Sequence, residues 1–562
     1  MKVVIVGGVA GGATAAARIR RLDEKAEIVV FERSGFISYA NCGLPYYIGG
    51  IIDKPGALTV QTPEGFHERF RVDVRVKHEV IELLPEEKCV RVKNLNTGEV
   101  FQESYDKLLL CPGAHPIRPA MPGLDSDRVF TLRTVEDTLR IREYIERERP
   151  HSAVLAGGGF ISLETAENLR EMGLEVSIVQ KQLQLMNPFD PEMAAFIHGE
   201  LRRSGIKLVL GHTVAGFAEE NGRVKVLLQD CEPLEADFAV MAIGVAPESG
   251  LAKAAGLELG VRGSIAVNKR METSVPDIYA AGDAVQVKNL ITGEDTLIAL
   301  AGPANKQGRI AADNICGGNS RYEGSLGTSV IKVFEMTAAS VGINEGAAAR
   351  AGLKTEKLYL SPMNHAGYYP GARMMTMKLL WEKESWRLLG AQIVGYEGVD
   401  KRIDVLAAAI QAKTDVRDLS ELQLAYAPPY SSAKDPINMA GYMAENISLG
   451  LVKNFHWHDV DSLPRDGSIV LLDVRTEAEF ARGRVEGFIN IPVDELRERL
   501  DEIERGKDVY VMCQSGLRSY IASRILAQHG FNCFSLAGGF RLYNTAVRDA
   551  QAARVSMSCG ME

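Results

Sequence analysis

Two cysteines stand alone in two unrelated segments, and each is placed to make and break bonds to sulfur. Cys42 lies in Ser38-Tyr39-Ala40-Asn41-Cys42-Gly43-Leu44-Pro45-Tyr46, shortly after a glycine-rich strand, turn and helix. Cys513 opens Cys513-Gln514-Ser515-Gly516-Leu517-Arg518-Ser519 near the other end of the chain. A single thiol such as Cys42 cannot close an internal disulfide; it cycles through a mixed disulfide, a persulfide or a sulfenic acid. The thiolate is the reacting form, so the site needs electropositive surroundings that lower the thiol pKa. Cys513 follows an apolar strand, Val509 to Met512, and precedes a helix. A loop there can aim several N–H groups at the sulfur and stabilise a thiolate or persulfide, with Arg518 adding positive charge.

The elements around Cys42 read as a dinucleotide fold. Val3 to Val6 is a buried strand, Ala13 to Leu22 is helical in composition, and Ile28 to Phe31 is the next strand, ending at Glu32 and Arg33. Between them, Gly7-Gly8-Val9-Ala10-Gly11-Gly12 keeps the turn slim where backbone approaches a pyrophosphate at a helix N-terminus. The middle glycine of G-x-G-x-x-G is Val9. Glu32 stands where a carboxylate accepts hydrogen bonds from ribose hydroxyls. The plan repeats over residues 153–180: strand Ala153 to Ala156, Gly157-Gly158-Gly159, then Phe160, Ile161 and Ser162 opening a helix, and a strand ending at Gln180. Ser162 replaces the third glycine and is small enough to keep helix against strand. Gln180, in place of a ribose-binding acid, removes repulsion of a 2′-phosphate, and Lys181 adds a cation. Either NADH or NADPH is therefore admitted.

The 562 residues are too many for one core and predict three or four domains. A net charge of −9 disfavours nucleic acid as a partner. No apolar run is long enough to cross a bilayer, and Val3-Val4-Ile5-Val6 runs at once into glycines, unlike a signal peptide. Eight sparse cysteines read as cytosolic thiols and not as a disulfide framework. No Cys-x-x-Cys pair occurs, so no metal site is expected. Cys89, Cys111, Cys231 and Cys316 carry no role in this reading, Cys533 is structural, and Cys559 lies in a tail without periodicity.

Further motifs resemble known families. Ile278-Tyr279-Ala280-Ala281-Gly282-Asp283 resembles the second flavin motif of the pyridine nucleotide-disulfide oxidoreductases, in which the aspartate contacts the ribityl chain. Gly302-Pro303-Ala304-Asn305-Lys306-Gln307-Gly308 follows as a helix directed at the flavin ring, and Glu164 resembles the glutamate near the nicotinamide. The Cys42 segment is similar to that of the coenzyme A-disulfide reductases and their NADH oxidase relatives. Dithiol members carry a second cysteine five residues on; here that position is Tyr47. The segments Asn364-His365-Ala366-Gly367-Tyr368-Tyr369-Pro370-Gly371 and Ala425-Tyr426-Ala427-Pro428-Pro429-Tyr430 resemble those that bring two tyrosines from the other subunit, which implies a homodimer and roles for Tyr368 and Tyr426. Arg18 and Arg21, with Ser38 and Asn41, resemble the residues that hold coenzyme A; Asn41 also lies at the flavin. Leu472-Asp473-Val474-Arg475, Glu479-Phe480, Gly487-Phe488-Ile489-Asn490-Ile491-Pro492 and the loop Cys513, Gln514, Ser515, Gly516, Leu517, Arg518, Ser519 form the rhodanese pattern in order. Arg484 stands where a histidine is usual.

Together these imply an α/β chain that resembles the coenzyme A-disulfide reductase–rhodanese fusions. The expected parts are FAD-binding segments 1–110 and 271–323, an NAD(P)-binding domain 111–270, an α+β dimerisation domain 324–445, a linker 446–461, a rhodanese domain 462–550 and a flexible tail 551–562. The FAD set is Gly7, Gly8, Val9, Ala10, Gly11, Gly12, Glu32, Arg33, Asn41, Gly282, Asp283, Gly302 and Pro303. The NAD(P) set is Gly157, Gly159, Phe160, Ile161, Glu164, Gln180 and Lys181. The expected activity is cytoplasmic, NAD(P)H-driven reduction of CoA persulfide, polysulfide or CoA disulfide at Cys42, with Cys513 handling sulfane sulfur. The rivals are thiol redox balance through CoA disulfide alone, an NADH oxidase reducing oxygen, and a sulfur-relay protein.

Overall fold

The computed structural model describes residues 1–557. Two compact units emerge, Met1–Lys181 with Gly205–Gly327, and Gln182–Ser204 with Thr328 onward.

The first unit holds two five-stranded sheets of wholly parallel pairing. In one the order is Ile278–Ala280, Lys107–Leu110, Lys2–Val6, Glu27–Glu32 and Asp73–Val76. Its inner strands are apolar runs that share one core with helices such as Ala10–Leu22 and with the antiparallel strands His78–Leu84 and Cys89–Asn94, whereas the edge strand Asp73–Val76 alternates and is half-buried. Val6 pairs with Phe31 and Leu110, and Leu110 pairs with Ala280, so these strands end level. At that edge the chain leaves through Gly7, Cys111 and Ala281, a crevice of the kind that takes ligands in doubly wound sheets. In the other sheet the order is Lys207–Leu210, Glu175–Gln180, Ser152–Ala156, Phe238–Met241 and Val129–Thr131.

The second unit combines an antiparallel sheet, in the order Ser329–Val333, Met336–Gly342, Leu388–Gly395, Thr376–Glu382, Thr355–Leu360, with a parallel one. The parallel sheet runs Asn454–Phe455, Cys533–Leu536, Val509–Met512, Val470–Asp473, Ile489–Asn490. Two expectations change here. In the stretch read as a linker, the helix Pro436–Ser448 continues to Ser448, and Asn454–Phe455 already pairs with Ser535 and Leu536. In the stretch read as a flexible tail, the helix Gly539–Met557 continues through alanine-rich sequence and buries Ala553. Cys559 lies outside the described residues.

The segment Gln182–Ser204, expected within the nucleotide-binding fold, belongs to the second unit because ion pairs hold it there. Lys378, 1 % exposed, bonds Asp190 at 2.7 Å, Glu192 at 2.5 Å and also Glu345. The Tyr359 hydroxyl donates to Glu192 at 2.7 Å. The three carboxylates cluster as a cation site would, and the Lys378 ammonium already sits among them, with Lys357 on Glu345 at 2.6 Å. Removing one partner of such a buried cluster costs roughly 3–5 kcal/mol, because the remaining charges stay buried. The helix Pro191–Arg203 also meets Gly539–Met557, where Asp549 bonds His198 at 2.8 Å and Arg202 at 2.5 Å. Among the described residues, no helix is long and apolar enough to cross a membrane.

Candidate functional site

The turn after Lys2–Val6 is shaped by close backbone contacts. Gly7 has φ +96°, and a Cβ there would lie 2.1 Å from the Cys111 carbonyl oxygen. A Cβ on Gly12 would lie 1.9 Å from the Gly7 oxygen, so only glycine lets the helix Ala10–Leu22 start this close to the strand. That helix packs on Ala301–Ile315, where a Cβ on Gly308 would come within 2.3 Å of the Gly11 oxygen. The Glu32 carboxylate, 8 % exposed, accepts from Gly8 N–H and Ser34 N–H, both at 2.9 Å. A cavity of about 520 Å³ lies beside it, lined among others by Gly7, Val9, Glu32, Asn41 and Arg133. This cradle of glycines, helix N-terminus and buried acid fits an adenine dinucleotide. Gly282, φ +88°, donates its N–H to the buried Gln307 side chain at 2.8 Å, which fixes the turn that carries Asp283. Gly302 and Pro303 lie in the first turn of Ala301–Ile315. Arg33 is partly exposed, lines the same cavity and pairs with Glu248 at 3.3 Å.

Arg133 belongs to none of the sequence motifs, yet it links these parts. It donates to Asp283 at 2.8 Å and to the Ala114 carbonyl at 3.0 Å. With the Asn41 amide turned to match its surroundings, Asn41 donates to the Arg133 carbonyl at 3.1 Å and accepts from its guanidinium. Cys42 follows in the short turn Asn41–Gly43 that leads into Leu44–Ile48, and its thiol is exposed. Crowding by the surrounding chain raises the Cys42 pKa, Glu164 and Asp283 raise it further, and Arg133 opposes them. Among these side chains, burial and the two carboxylates together outweigh the one guanidinium. Glu164 itself is pushed up to about 7 by burial and then by Glu167.

The second strand–turn–helix matches the first. Gly157 has φ +117° and lies so close to the Ala242 carbonyl that a Cβ there would meet its oxygen at 2.2 Å. Gly159 caps Phe160–Glu171 with open space beside it. Ser162 is fully buried, as close helix–strand packing requires. Gln180 ends Glu175–Gln180, with Lys181 exposed after it.

The face of Ala10–Leu22 is not the uniformly solvated basic stripe its sequence admits. Arg20 is buried and donates to the carbonyls of Asp23, Glu24, Phe70 and Arg71. Arg18 pairs with Asp313 at 2.6 Å, and Arg21 is exposed. Ser38 takes φ +45° and donates its N–H to the Gly8 carbonyl at 2.8 Å.

In the second unit, Tyr368 and Tyr426 come together, hydroxyl to hydroxyl at 2.6 Å, on an exposed surface. The hydrogen bond between them favours the protonated phenol, and the Tyr368 pKa is raised accordingly.

Cys513 is fully buried between Val509–Met512 and Leu517–Gln528. The Gly516 N–H, at φ +107°, donates to Sγ at 3.1 Å, and the thiol lies 3.4 Å from the Ser519 hydroxyl. One backbone N–H thus reaches the sulfur among the described residues, where several were expected. The loop is fixed from outside, since Phe540 and Arg541 N–H donate to the Cys513 and Gln514 carbonyls at 2.8 and 3.0 Å. Arg518 does not lend its charge freely: Glu479 holds it in a two-pronged bond at 2.6 and 2.7 Å, which brings the Glu479 pKa down to about 2. The buried Arg475 is likewise paired with Asp473 at 2.7 Å. Arg484 lies over the Phe480 ring, 5.5 Å from its centre. Cys89, Cys111, Cys316 and Cys533 are free thiols away from these bonds, whereas Cys231, expected as a free thiol, is disulfide-bonded.

Three family models match successive parts of the chain. Residues 1–308 match the pyridine nucleotide-disulphide oxidoreductase family, 328–436 its dimerisation domain, and 457–546 the rhodanese-like domain. The coenzyme A disulfide reductase of Staphylococcus haemolyticus is 36 % identical over 447 residues, covering 79 % of this chain and all of the relative. The crystal structure of reduced Bacillus anthracis CoADR-RHD is 48 % identical with a TM-score of 0.94, covering 98 % of each chain. An NAD-dependent persulfide reductase from A. fulgidus is 39 % identical with a TM-score of 0.91, covering 97 % of this chain and 100 % of that one. The chain therefore belongs to the pyridine nucleotide-disulphide oxidoreductases and carries a C-terminal rhodanese-like domain.

Proposed function

We propose that the protein is a flavoprotein that uses NAD(P)H to reduce CoA persulfide, polysulfide and CoA disulfide through Cys42 alone, releasing sulfide and CoA thiol, while Cys513 carries sulfane sulfur. The observation that carries this reading is the presence in one chain of a lone exposed thiol and a second thiol in a loop that presents N–H to sulfur. A reductase of plain disulfides has no use for a sulfur carrier. The full-length similarity to a CoADR-RHD and to a persulfide reductase supports it.

FAD is assigned to Gly7, Gly8, Val9, Ala10, Gly11, Gly12, Glu32, Arg33, Asn41, Gly282, Asp283, Gly302 and Pro303, with Arg133 added. When bound, it supplies the two-electron link between NAD(P)H and a sulfur at Cys42. NAD(P)H is assigned to Gly157, Gly159, Phe160, Ile161, Glu164, Gln180 and Lys181. Arg18 and Arg21 are assigned to CoA phosphates, for which guanidinium geometry is suited, with Ser38 and Asn41 completing the pocket.

The Cys42 thiolate attacks the inner sulfur of CoA–S–SH. The S–S bond breaks, Cys42–S–S–CoA forms, and HS⁻ leaves with the electron pair. With CoA disulfide the leaving group is CoA–S⁻. Two electrons and two protons then return Cys42 and CoA as thiols. Tyr368 and Tyr426, supplied by the second subunit of a homodimer, act as the proton donors; the hydrogen bond between the phenols makes one hydroxyl available to a departing thiolate. We place the reaction in the cytoplasm, where pyridine nucleotide and CoA are maintained.

The test is anaerobic oxidation of NADH and of NADPH by the FAD-containing protein, with CoA persulfide, polysulfide and CoA disulfide as separate acceptors and sulfide measured. Turnover with sulfide release, abolished by Cys42→Ser, is expected. Persulfide reduction at the normal rate by that variant would overturn the assignment.

A further inference from the structure

Cys513 is fully buried, yet its thiol has to lose a proton before the sulfur can attack. The charged groups around the loop are committed to other partners. Glu479, brought down to about 2 and held by Arg518, is a weak base. Asp473 accepts from the Arg475 guanidinium at 2.7 Å and from the Arg475 N–H at 3.0 Å. Arg541 meets the loop through its N–H on the Gln514 carbonyl, and its guanidinium lies on the Met374 sulfur at 2.8 Å. On the neighbouring strand, burial pushes the Cys533 thiol up, and that thiol donates to the Ser523 carbonyl at 3.2 Å.

Hydroxyls lie behind the sulfur instead. The Cys513 thiol donates to Ser519 Oγ at 3.4 Å, and Ser535 Oγ donates to the same oxygen at 2.9 Å. Ser519 in turn donates to the Gly516 carbonyl at 3.0 Å. Ser519 stands in the first turn of Leu517–Gln528, and Ser535 on the strand Cys533–Leu536. Side chains two apart on a strand share a face, so the register that turns Cys533 to this helix also aims Ser535 at Ser519. Among the described residues, Ser519 is the one partner of the Ser535 hydroxyl, whose oxygen keeps lone pairs with which to accept. Ser535, 3 % exposed, lines a cavity of about 570 Å³ together with Asn454, Ser515 and Tyr520. Such a space is polar enough at this end, and wide enough, to hold water. Cys513 does not line it, so the two serines are what joins the sulfur to the cavity.

We propose that Ser535 is a positioning residue for Cys513: with Ser519 it forms a hydroxyl path that carries the thiol proton from the buried sulfur to water in the cavity. The inference rests on the reading of Cys513 as a sulfur-transfer thiol. In the step, the S–H bond breaks and its electron pair stays on sulfur. The thiol proton goes to Ser519 Oγ, the Ser519 hydroxyl proton to Ser535 Oγ, and the Ser535 hydroxyl proton to water. Each hydroxyl gains one proton and loses one, and no oxidant or reductant takes part. The thiolate is left with two donors, the Gly516 N–H and the Ser519 hydroxyl.

The experiment uses the full-length, FAD-containing protein with thiosulfate as the donor, and follows sulfur loading at Cys513 by peptide mass spectrometry across a range of pH. Ser535→Thr and Ser535→Val have the same shape and differ in a hydroxyl against a methyl, so any cost of packing is common to both. At low pH, Ser535→Val is expected to load about tenfold more slowly than Ser535→Thr, the effect of roughly one lost hydrogen bond. The gap is expected to close as the pH rises, because hydroxide then takes the proton without the path. Ser535→Ala, which removes the hydroxyl without adding bulk, is expected to show the same pH-dependent loss with an unchanged Tm. Equal loading by the Thr and Val variants at every pH overturns the proposal, and so does a gap of constant size, which marks packing alone. Failure of thiosulfate to load the unsubstituted protein overturns the sulfur-transfer reading and the proposal with it. Loading needs no NAD(P)H, so the reductase reading stands or falls separately.

Discussion

Cys42 and Cys513 sit in opposite settings although each lies shortly before a helix, Leu44–Ile48 and Leu517–Gln528. Cys42 is exposed on a single 3-10 turn, with two carboxylates and one guanidinium acting on it. Cys513 is fully buried in a loop whose carbonyls are held by Phe540 and Arg541 N–H and whose Arg518 is paired with Glu479. The first site leaves space around its sulfur and leaves its charge to be set by what binds there. The second is preorganised before any ligand arrives. A thiol that exchanges bulky partners needs the first arrangement, and one that holds a single sulfur atom against loss needs the second.

The sharpest break between them is a pair of serine substitutions. Cys42→Ser should lower NAD(P)H-driven reduction by on the order of a thousandfold or more while Cys513 still loads; Cys513→Ser should do the reverse. Equal loss of both activities in either variant would mean that the two thiols form one site. Next in size is Gly12→Ala, whose Cβ has to displace the Gly7 carbonyl 1.9 Å away. A cost of roughly 3 kcal/mol is expected, read as a lower Tm and as flavin lost on gel filtration, with sulfur loading at Cys513 spared.

Glu479→Gln tests the second site. It frees the Arg518 charge, so thiosulfate should load Cys513 roughly tenfold faster, consistent with about 1.4 kcal/mol of electrostatic gain. No change would show that Arg518 is too far from the donor to matter. The smallest effect concerns Glu164. Its pKa is raised from 4.5 to about 7, so the neutral form is the one the fold favours. Its stabilising contribution is complete below pH 4.5 and is lost as the pH rises through about 7. Over the same rise it gains a negative charge that keeps Cys42 protonated. Glu164→Gln should therefore shift the alkylation profile of Cys42 to lower pH by less than about one unit, and should flatten the loss of Tm between about pH 4.5 and 7.

The motifs that touch backbone were legible in the sequence: Gly7 to Gly12, Gly157 to Gly159, and the loop from Cys513 to Ser519 each rest on local geometry that only certain residues permit. Long-range pairings were not. Arg133 reaches Asp283 across 150 positions of sequence, and no periodicity or spacing encodes such a meeting. The same holds for Lys378 with Glu192, which draws Gln182–Ser204 out of the nucleotide-binding unit. Arg518 was legible as a cation of the loop, but its neutralisation required Glu479 to be placed beside it. Arg20 differs from its neighbours on a helix that reads as uniformly basic because four carbonyls converge on it from beyond the helix.

The two-residue strand Asn454–Phe455 lies ahead of residue 457, where the rhodanese-like match begins, yet it pairs with Ser535 and Leu536. A fragment cut at Trp457 would leave the main-chain groups of Cys533–Leu536 without their neighbour, a bare sheet edge of the kind that recruits other chains. The sulfur-carrying part should thus be soluble and well behaved only when it takes a few residues from the preceding region with it, and a gene fusion or excision that ignores them should yield aggregates.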